Sequence, residues 1–491
     1  VCLSKYGAKR SPSAIILFDL NPPNSEPDMA DLTPNPSFSL TIRFELPNQA
    51  GMLAKVTQAI AEVGGSLGQI DLVDRTRAAT TRDITVDASS TEHAERIVNA
   101  VKSLEDIEIL EIYDRTFNLH RGGKISVEST LHIKNQSDLA MAYTPGVGRV
   151  SKAIANDPEL VHTLTMKGNT VAIVTDGSAV LGLGNLGPEA AMPVMEGKAM
   201  LFKEFAGIDA FPICLATQDV DEIVETVKRL APVFGGVNLE DIAAPRCFEI
   251  ERRLKKEIDI PVFHDDQHGT AIVTLAALIN ALKLVKKSLP EICIVINGAG
   301  AAGVAIARLL RQAGADRILL CDSKGIVSKE REGLTPEKQE FASPQTGTLA
   351  DAMKEADVFI GVSAPGVLTP EMVRSMAAEP IVMAMANPIP EIQPELVDGA
   401  VAVMATGRSD YVNQINNVLA FPGIFRGALD CRSKELTITM FLEAAGAIAS
   451  LIPPAKLDRE YIVPSVFDER VVTAVSAAVQ HAARQAGLAR C

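Results

Sequence analysis

From Ser37 apolar and polar residues alternate through Phe38, Leu40, Ile42, Phe44 and Leu46, the period of two that turns one face of a strand into a core. After the turn residues Pro47-Asn48-Gln49-Ala50-Gly51 the spacing changes to Leu53, Val56, Ile60 and Val63, which is helical, and it stops at Gly64-Gly65. Strand-like runs over 68–74 and 80–86, a helical stretch over 91–104 and a last strand over 107–113 complete a βαββαβ order, the ferredoxin-like plan. His120-Arg121-Gly122-Gly123-Lys124 reads as a linker. Beyond it, helical and strand patterns alternate over 124–285, with strand-like runs at 171–177, 210–214 and 261–263, as α/β material does. From Pro290 five apolar runs (292–297, 317–322, 357–362, 381–386 and 401–405) predict the parallel strands of a doubly wound, Rossmann-type sheet. Two Ala-rich helical stretches, 435–449 and 468–486, are expected to pack back on the α/β material.

The stretch before residue 37 is rich in Pro, Asn and Ser around Asn21-Pro22-Pro23-Asn24 and lacks a period that builds a core, so residues 1–36 are expected to be disordered. The sequence opens on Val1, and Met29 stands just before the first organised segment; Met29 is the expected natural start. The predicted domains are therefore 37–119, 120–285 and 286–491, and a chain of 491 residues is indeed too long for one hydrophobic core. A formal net charge of −14 disfavours nucleic acid and anionic membrane as partners, since both call for a basic surface, and favours small ligands or a cation. The seven cysteines are scattered without a C-x-x-C pair, which suggests neither a disulfide framework nor a thiolate zinc site. With no run of 18 apolar residues and no signal-peptide pattern at Val1, a cytoplasmic location is expected.

The chemistry concentrates in a few stretches. Asp265 and Asp266 are adjacent acids at the end of the apolar run Ile260-Pro261-Val262-Phe263, just before a helical pattern. Such a pair is solvated, caps the helix, or holds a cation. A second pair, Glu240-Asp241, again follows apolar residues, and together the two pairs offer the oxygens of one hard-cation site. Gly298-Ala299-Gly300-Ala301-Ala302-Gly303 follows a strand and opens a helix, the context in which a G-x-G-x-x-G turn binds a dinucleotide pyrophosphate. The next strand ends at Asp322, where a carboxylate meets the ribose hydroxyls of NAD; Lys324 beside it suits a 2′-phosphate, so NAD and NADP both stay open. Lys198 heads an apolar helix, where a lysine is either a snorkelling surface residue or, buried beside a cation, a base. Tyr143 lies in a Pro/Gly turn, as an amphipathic surface residue or as a phenol reaching a neighbouring site. His264 and His268 have the i, i+4 spacing of a zinc pair, but the carboxylates around them suit a harder metal.

Residues 37–119 resemble an ACT domain, a small regulatory module, on the βαββαβ order and the Pro47-Asn48-Gln49-Ala50-Gly51-Met52-Leu53 turn; the resemblance implies an amino acid or similar small effector. From Leu131 onward the chain resembles the malic enzymes of the shorter bacterial type. The carrying motifs are Tyr143-Thr144-Pro145-Gly146-Val147-Gly148, Asp176-Gly177 with Leu181-Gly182-Leu183-Gly184-Asn185, Gly197-Lys198, Glu240-Asp241, His264-Asp265-Asp266-Gln267-His268-Gly269, Asn387-Pro388 and Asn416-Asn417-Val418.

This second resemblance implies oxidative decarboxylation of (S)-malate to pyruvate and CO2 with reduction of NAD or NADP, in a homo-oligomer. Glu240, Asp241 and Asp266 become the implied ligands of Mg2+ or Mn2+, and Lys198 the implied general base with Asp265 orienting it. Tyr143 becomes the general acid at C3 of enolpyruvate, while Asn387, Asn416 and Asn417 hold malate or the nicotinamide end. One departure stands out. Longer members carry a carboxylate-clamping arginine after the Asp-Gly pair, whereas here Ser178-Ala179-Val180 follow Gly177, leaving Ser178 or Arg426 as candidates.

Overall fold

The structure is a computed structural model that describes residues 34–491, so the predicted tail up to residue 33, with Met29, lies outside the described residues. The chain divides into two compact units, with the break between Lys124 and Ile125.

In the first unit β1 (Asn35–Pro47), α1 (Met52–Glu62), β2 (Ser66–Arg75), β3 (Ala79–Ala88), α2 (Thr91–Lys102) and β4 (Glu108–Asp114) follow the predicted order. The sheet is antiparallel with order β2-β3-β1-β4. The alternation in β1 sends Leu40, Ile42, Phe44 and Leu46 into the core, where they meet Val56 and Ile60 of α1 and Ile97 and Val101 of α2. Ser90 caps α2 by accepting from the His93 amide. The outer strand β2 is exposed along its whole length.

The second unit holds two parallel sheets. In the first, β5 (Thr170–Thr175), β6 (Asp209–Cys214), β7 (Gly236–Leu239) and β8 (Val262–His264) pair in the order β6-β5-β7-β8. Its helices are α3 (Pro188–Ala206), α4 (Val220–Leu230) and α5 (Arg246–Glu257). The short strand β7 had no strand-like run of its own in the sequence pattern; it forms because its four residues are clamped between β5 and β8. A π-helical turn, Asp265–Gly269, then leads into α6 (Thr270–Val285). The stretch Asp265–Val285 is apolar and long enough to cross a membrane, yet 72% of its most apolar window is buried inside the fold, which makes it a core helix. Asn280 of α6, fully buried, donates to the carbonyls of Ala449 and Ile462 and ties the helix to the C-terminal region.

The second sheet runs β9 (Cys293–Asn297), β10 (Arg317–Asp322), β11 (Gly325–Ile326), β12 (Val358–Gly361), β13 (Ile381–Ala384) and β14 (Val403–Thr406), in the order β11-β10-β9-β12-β13-β14. All pairs are parallel except β10 with the two-residue β11, which the pattern did not reveal. The order reverses between β10 and β12 around β9, so the crevice of a doubly wound sheet opens at the C-terminal end of β9, where α7 (Ala301–Gln312) begins. Three further helices, α8 (Phe421–Asp430), α9 (Ile438–Ser450) and α10 (Arg470–Gln485), pack together, and one continuous core joins them to α6 and both sheets.

Candidate active site

Strand ends and the helices that follow them bring the acids together. Strand β7 ends directly before Glu240-Asp241, and β8 ends directly before Asp265-Asp266; the two strands are neighbours in register, Leu239 opposite His264. Both acidic pairs therefore emerge at the same edge. Successive residues of the π turn point in different directions, so the two adjacent aspartates separate. Asp265 turns to Lys198, with Oδ2 2.6 Å from Nζ, and Asp266 turns to Asp241, accepting from its backbone amide at 2.9 Å. Neither carboxylate accepts from a backbone N–H of its own helix, which removes the capping reading.

Lys198 sits on α3 beside the buried stripe Ala191, Met195, Ala199 and Phe202, which draws its stem inward. Its ammonium touches Glu240 Oε1 at 3.0 Å as well as Asp265, and lies 4.4 Å from the centre of the Phe421 ring. Burial draws the ammonium's pKa down, but the carboxylates of Asp265 and Glu240 outweigh it and hold the group above its ordinary range. Asp265 receives a further bond from Asn417 Nδ2 at 3.0 Å, and Asn417 Oδ1 accepts from Thr270. On the other side Asn238 donates to Glu240 Oε2 at 2.7 Å. Asn238 was not among the sequence candidates. Strand β7 is too short to have announced it, and only the pairing of β7 with its neighbours sets Asn238 beside Glu240.

Four carboxylates thus cluster around one ammonium that pairs with two of them, Asp265 and Glu240. Burial pushes the carboxyls of Glu240 and Asp241 up, and the acids around each push them further. Oxygen atoms of Glu240, Asp241 and Asp266 lie within 4.8 Å of one another, and Asp241 Oδ2 is buried without a hydrogen-bond partner. An oxygen-only donor set short of positive charge and holding an unpaired buried oxygen fits a hard divalent cation. His268 instead bonds Glu251 at 2.6 Å, so among the described residues the histidine pair forms no metal group.

At the end of β9 a cleft of about 820 Å3 opens, lined among others by Gly298, Gly300, Asp322, Lys324 and Ser363. Gly298 has φ +120°, and a side chain there would lie 2.4 Å from the Val362 carbonyl; a side chain on Gly303 would lie 1.7 Å from the Gly298 carbonyl. Helix α7 can start against the turn only with glycine at both places; Gly300 lines the cleft as the residue before the helix, and Ala301 and Ala302 begin the helix behind it. Asp322 takes a two-pronged bond from Arg331, at 2.9 and 2.8 Å, and one from Lys338 at 2.9 Å. Burial raises this carboxyl, but the two cations prevail and hold it well below the usual carboxylate range. Arg331 and Lys338 come from a loop and a one-turn helix with no motif, and only the tertiary structure reveals them. Lys324 caps Asp322 through its backbone amide.

The remaining candidates fall in different places. Asn387 lies against the Leu181–Gly184 loop and Gly407, its carbonyl 3.3 Å from where a Gly182 side chain would start. Asn416 is spent locally, accepting from Val418 N at 3.0 Å, while its neighbour Asn417 reaches Asp265. Ser178 is buried against Asp176 and the Ala243 amide, and Arg426 is engaged by Asp430 and Asn169, so neither stands free to clamp a carboxylate in the cluster. Tyr143 ends the short helix Gln136–Ala142; it is 66% exposed and its hydroxyl bonds to none of the cluster. It belongs to an outlying segment with other exposed apolar side chains, including Leu131, Ile133, Leu139 and Met141.

A dinucleotide cleft whose wall includes Ala244 and Pro245, just beyond Asp241, next to a lysine–carboxylate cluster, defines the class: a nucleotide-linked oxidoreductase site with room for a cation. Residues 122–255 match the malic enzyme N-terminal domain, 267–484 the malic enzyme NAD-binding domain, and 34–111 the ACT domain. The NAD-dependent malic enzyme of Geobacillus stearothermophilus is 54% identical over 459 residues, 92% of this chain and 96% of that one. A bifunctional malic/malolactic enzyme of Bacillus subtilis (strain 168) is 56% identical over 390 residues, covering 78% of this chain and 95% of its own. The crystal structure of an NAD-dependent malic enzyme from Thermotoga maritima superposes with a TM-score of 0.72 at 46% identity, over 75% of this chain and 99% of that one. The chain belongs to the malic enzyme family.

Proposed function

We propose that this protein oxidatively decarboxylates (S)-malate to pyruvate and CO2 while reducing NAD, with Mg2+ or Mn2+ held by Glu240, Asp241 and Asp266. The observation that carries the reading is the triangle of Lys198 with Asp265 and Glu240, set beside the paired acids Asp241 and Asp266. When bound, the cation would supply Lewis acidity toward malate and the dinucleotide would supply a hydride acceptor. Lys198, after releasing its own ammonium proton to water, takes the C2 hydroxyl proton as the free amine. Its ammonium is held by Asp265 and Glu240, and neutralising Glu240 lowers its pKa in the direction a base requires. Asn417 and Thr270 keep Asp265 aimed at Lys198. NAD is favoured by the name of the Geobacillus relative, while the Asp322 carboxylate at the cleft has both oxygens already held by Arg331 and Lys338.

Tyr143 stays the proton donor to C3, acting from a second copy of the chain. Its exposure and the apolar side chains around it support a homodimer in which this segment packs on the partner. The first unit is read as regulatory, binding an amino-acid-sized effector.

The test is a steady-state assay with malate, NAD or NADP, and Mg2+ or Mn2+, following nucleotide, pyruvate, CO2 and lactate. Reduced nucleotide, pyruvate and CO2 in equal amounts are expected, lost on chelation, with Lys198→Ala slower by about 10^3-fold. Nucleotide reduction without CO2 sinks the reading. Lactate without net nucleotide reduction points instead to the second activity in the Bacillus subtilis relative's name.

A further inference from the structure

Glu391 is a fully buried acid that no cation accompanies among the described residues. Both of its oxygens are nevertheless in use: Oε1 accepts from Ser363 N at 2.8 Å and Oε2 from Ala386 N at 3.0 Å. These amides follow neighbouring strands, Ser363 just after β12 and Ala386 just after β13. Ser363 Oγ in turn accepts from Asn297 Nδ2 at 2.8 Å, at the end of β9. One carboxylate therefore links the C-terminal ends of three strands. The place is made for it, since a side chain on Gly361 would start 2.3 Å from Glu391 Cδ. A carboxylate, with an acceptor oxygen on each side, suits two backbone N–H bonds at once. A glutamine must turn its amide NH2 toward one of those N–H groups.

The linked groups are not remote from the chemistry. Asn297 and Ser363 both line the dinucleotide cleft, and Ala386 directly precedes Asn387. The adenosine end of the cleft is marked by Asp322, on the neighbouring strand β10, so the end bounded by β9, β12 and β13 receives the nicotinamide ring. We propose that Glu391 is a positioning residue for nicotinamide, fixing Ser363 and the Asn387 loop so that Ser363 and Asn297 present polar atoms to the ring's carboxamide. The inference rests on the dinucleotide reading of the cleft and adds residues that reading does not name.

The experiment measures NADH and ADP-ribose binding to the whole protein by calorimetry, without malate or metal, alongside thermal unfolding. ADP-ribose lacks the ring and reports the adenosine end alone. Glu391→Gln is expected to bind NADH about 10-fold more weakly, with ADP-ribose affinity within about twofold of the parent. Ser363→Ala, which keeps the backbone amide and removes only Oγ, shows the same selective loss at smaller size and serves if Glu391→Gln does not fold. Equal weakening of both ligands, or unchanged NADH affinity in both variants, overturns the proposal. A parent protein that binds neither ligand overturns the dinucleotide reading itself.

Discussion

At Asp241 a single residue carries two opposed demands. Its backbone has φ +53°, an uncommon region for a residue with a side chain, and its Oδ2 is buried without a partner. Both costs are reasonable where a cation completes the oxygen's coordination. Asp241→Asn keeps the shape and removes the charge, so Mn2+ binding followed by electron paramagnetic resonance should weaken at least about 10-fold, with thermal stability in the absence of metal unchanged or improved. Unaltered Mn2+ affinity would falsify the ligand set. The residue scale also shows where the motifs were readable. Glu240, Asp241, Lys198, Asp265 and Asp266 stood out as charges beside apolar runs, but that Asp265 faces lysine and Asp266 faces Asp241 depended on the turn geometry.

Among elements, the link between α4 and β7 rests on Lys167, which lies just before β5. Its ammonium, almost wholly buried, donates to the carbonyls of Ala231, Pro232 and Phe234, at 2.7, 3.1 and 2.7 Å. These are groups that the end of α4 leaves without helical partners, and the cation lies where the helix dipole favours it. Burial lowers the pKa of Lys167, so the carbonyl cage is what keeps the charge tolerable. Lys167→Met should cost about 3 kcal/mol, read as a drop in Tm, because three buried carbonyls lose their donor. The same element, β7, shows why part of the fold was hidden. Gly236–Leu239 is too short to show a period, and its strand character is imposed by the neighbours on both sides.

For the whole molecule, the position of Tyr143 gives the sharpest expectation. If the phenol serves a neighbouring copy, Tyr143→Phe and Lys198→Ala are each nearly inactive alone, yet mixing and re-equilibrating the two recovers turnover, because some mixed dimers hold one intact site. Activity that stays at the level of the single variants rejects the shared site. The break between Lys124 and Ile125 carries a second expectation: a chain starting at Ile125 keeps turnover and loses any response to a panel of amino-acid effectors. An unchanged effector response would remove the regulatory role from the first unit.

Sequence alone determined the features that local period and local chemistry dictate. The βαββαβ order came from alternation and helical spacing, and the five parallel strands from apolar runs. The dinucleotide turn came from glycines whose backbone demands survive any packing, and the acid pairs from charges placed against apolar neighbours. Tertiary structure decided everything that needs two distant segments at once. Lys198 met Asp265 across 67 residues, and Asn417 reached Asp265 across 152. Arg331 and Lys338 took hold of Asp322, and Glu391 joined three strand ends. The physical reason is the same in each case. A side chain's protonation, direction and partners are set by what the fold packs against it, and no local pattern carries that information.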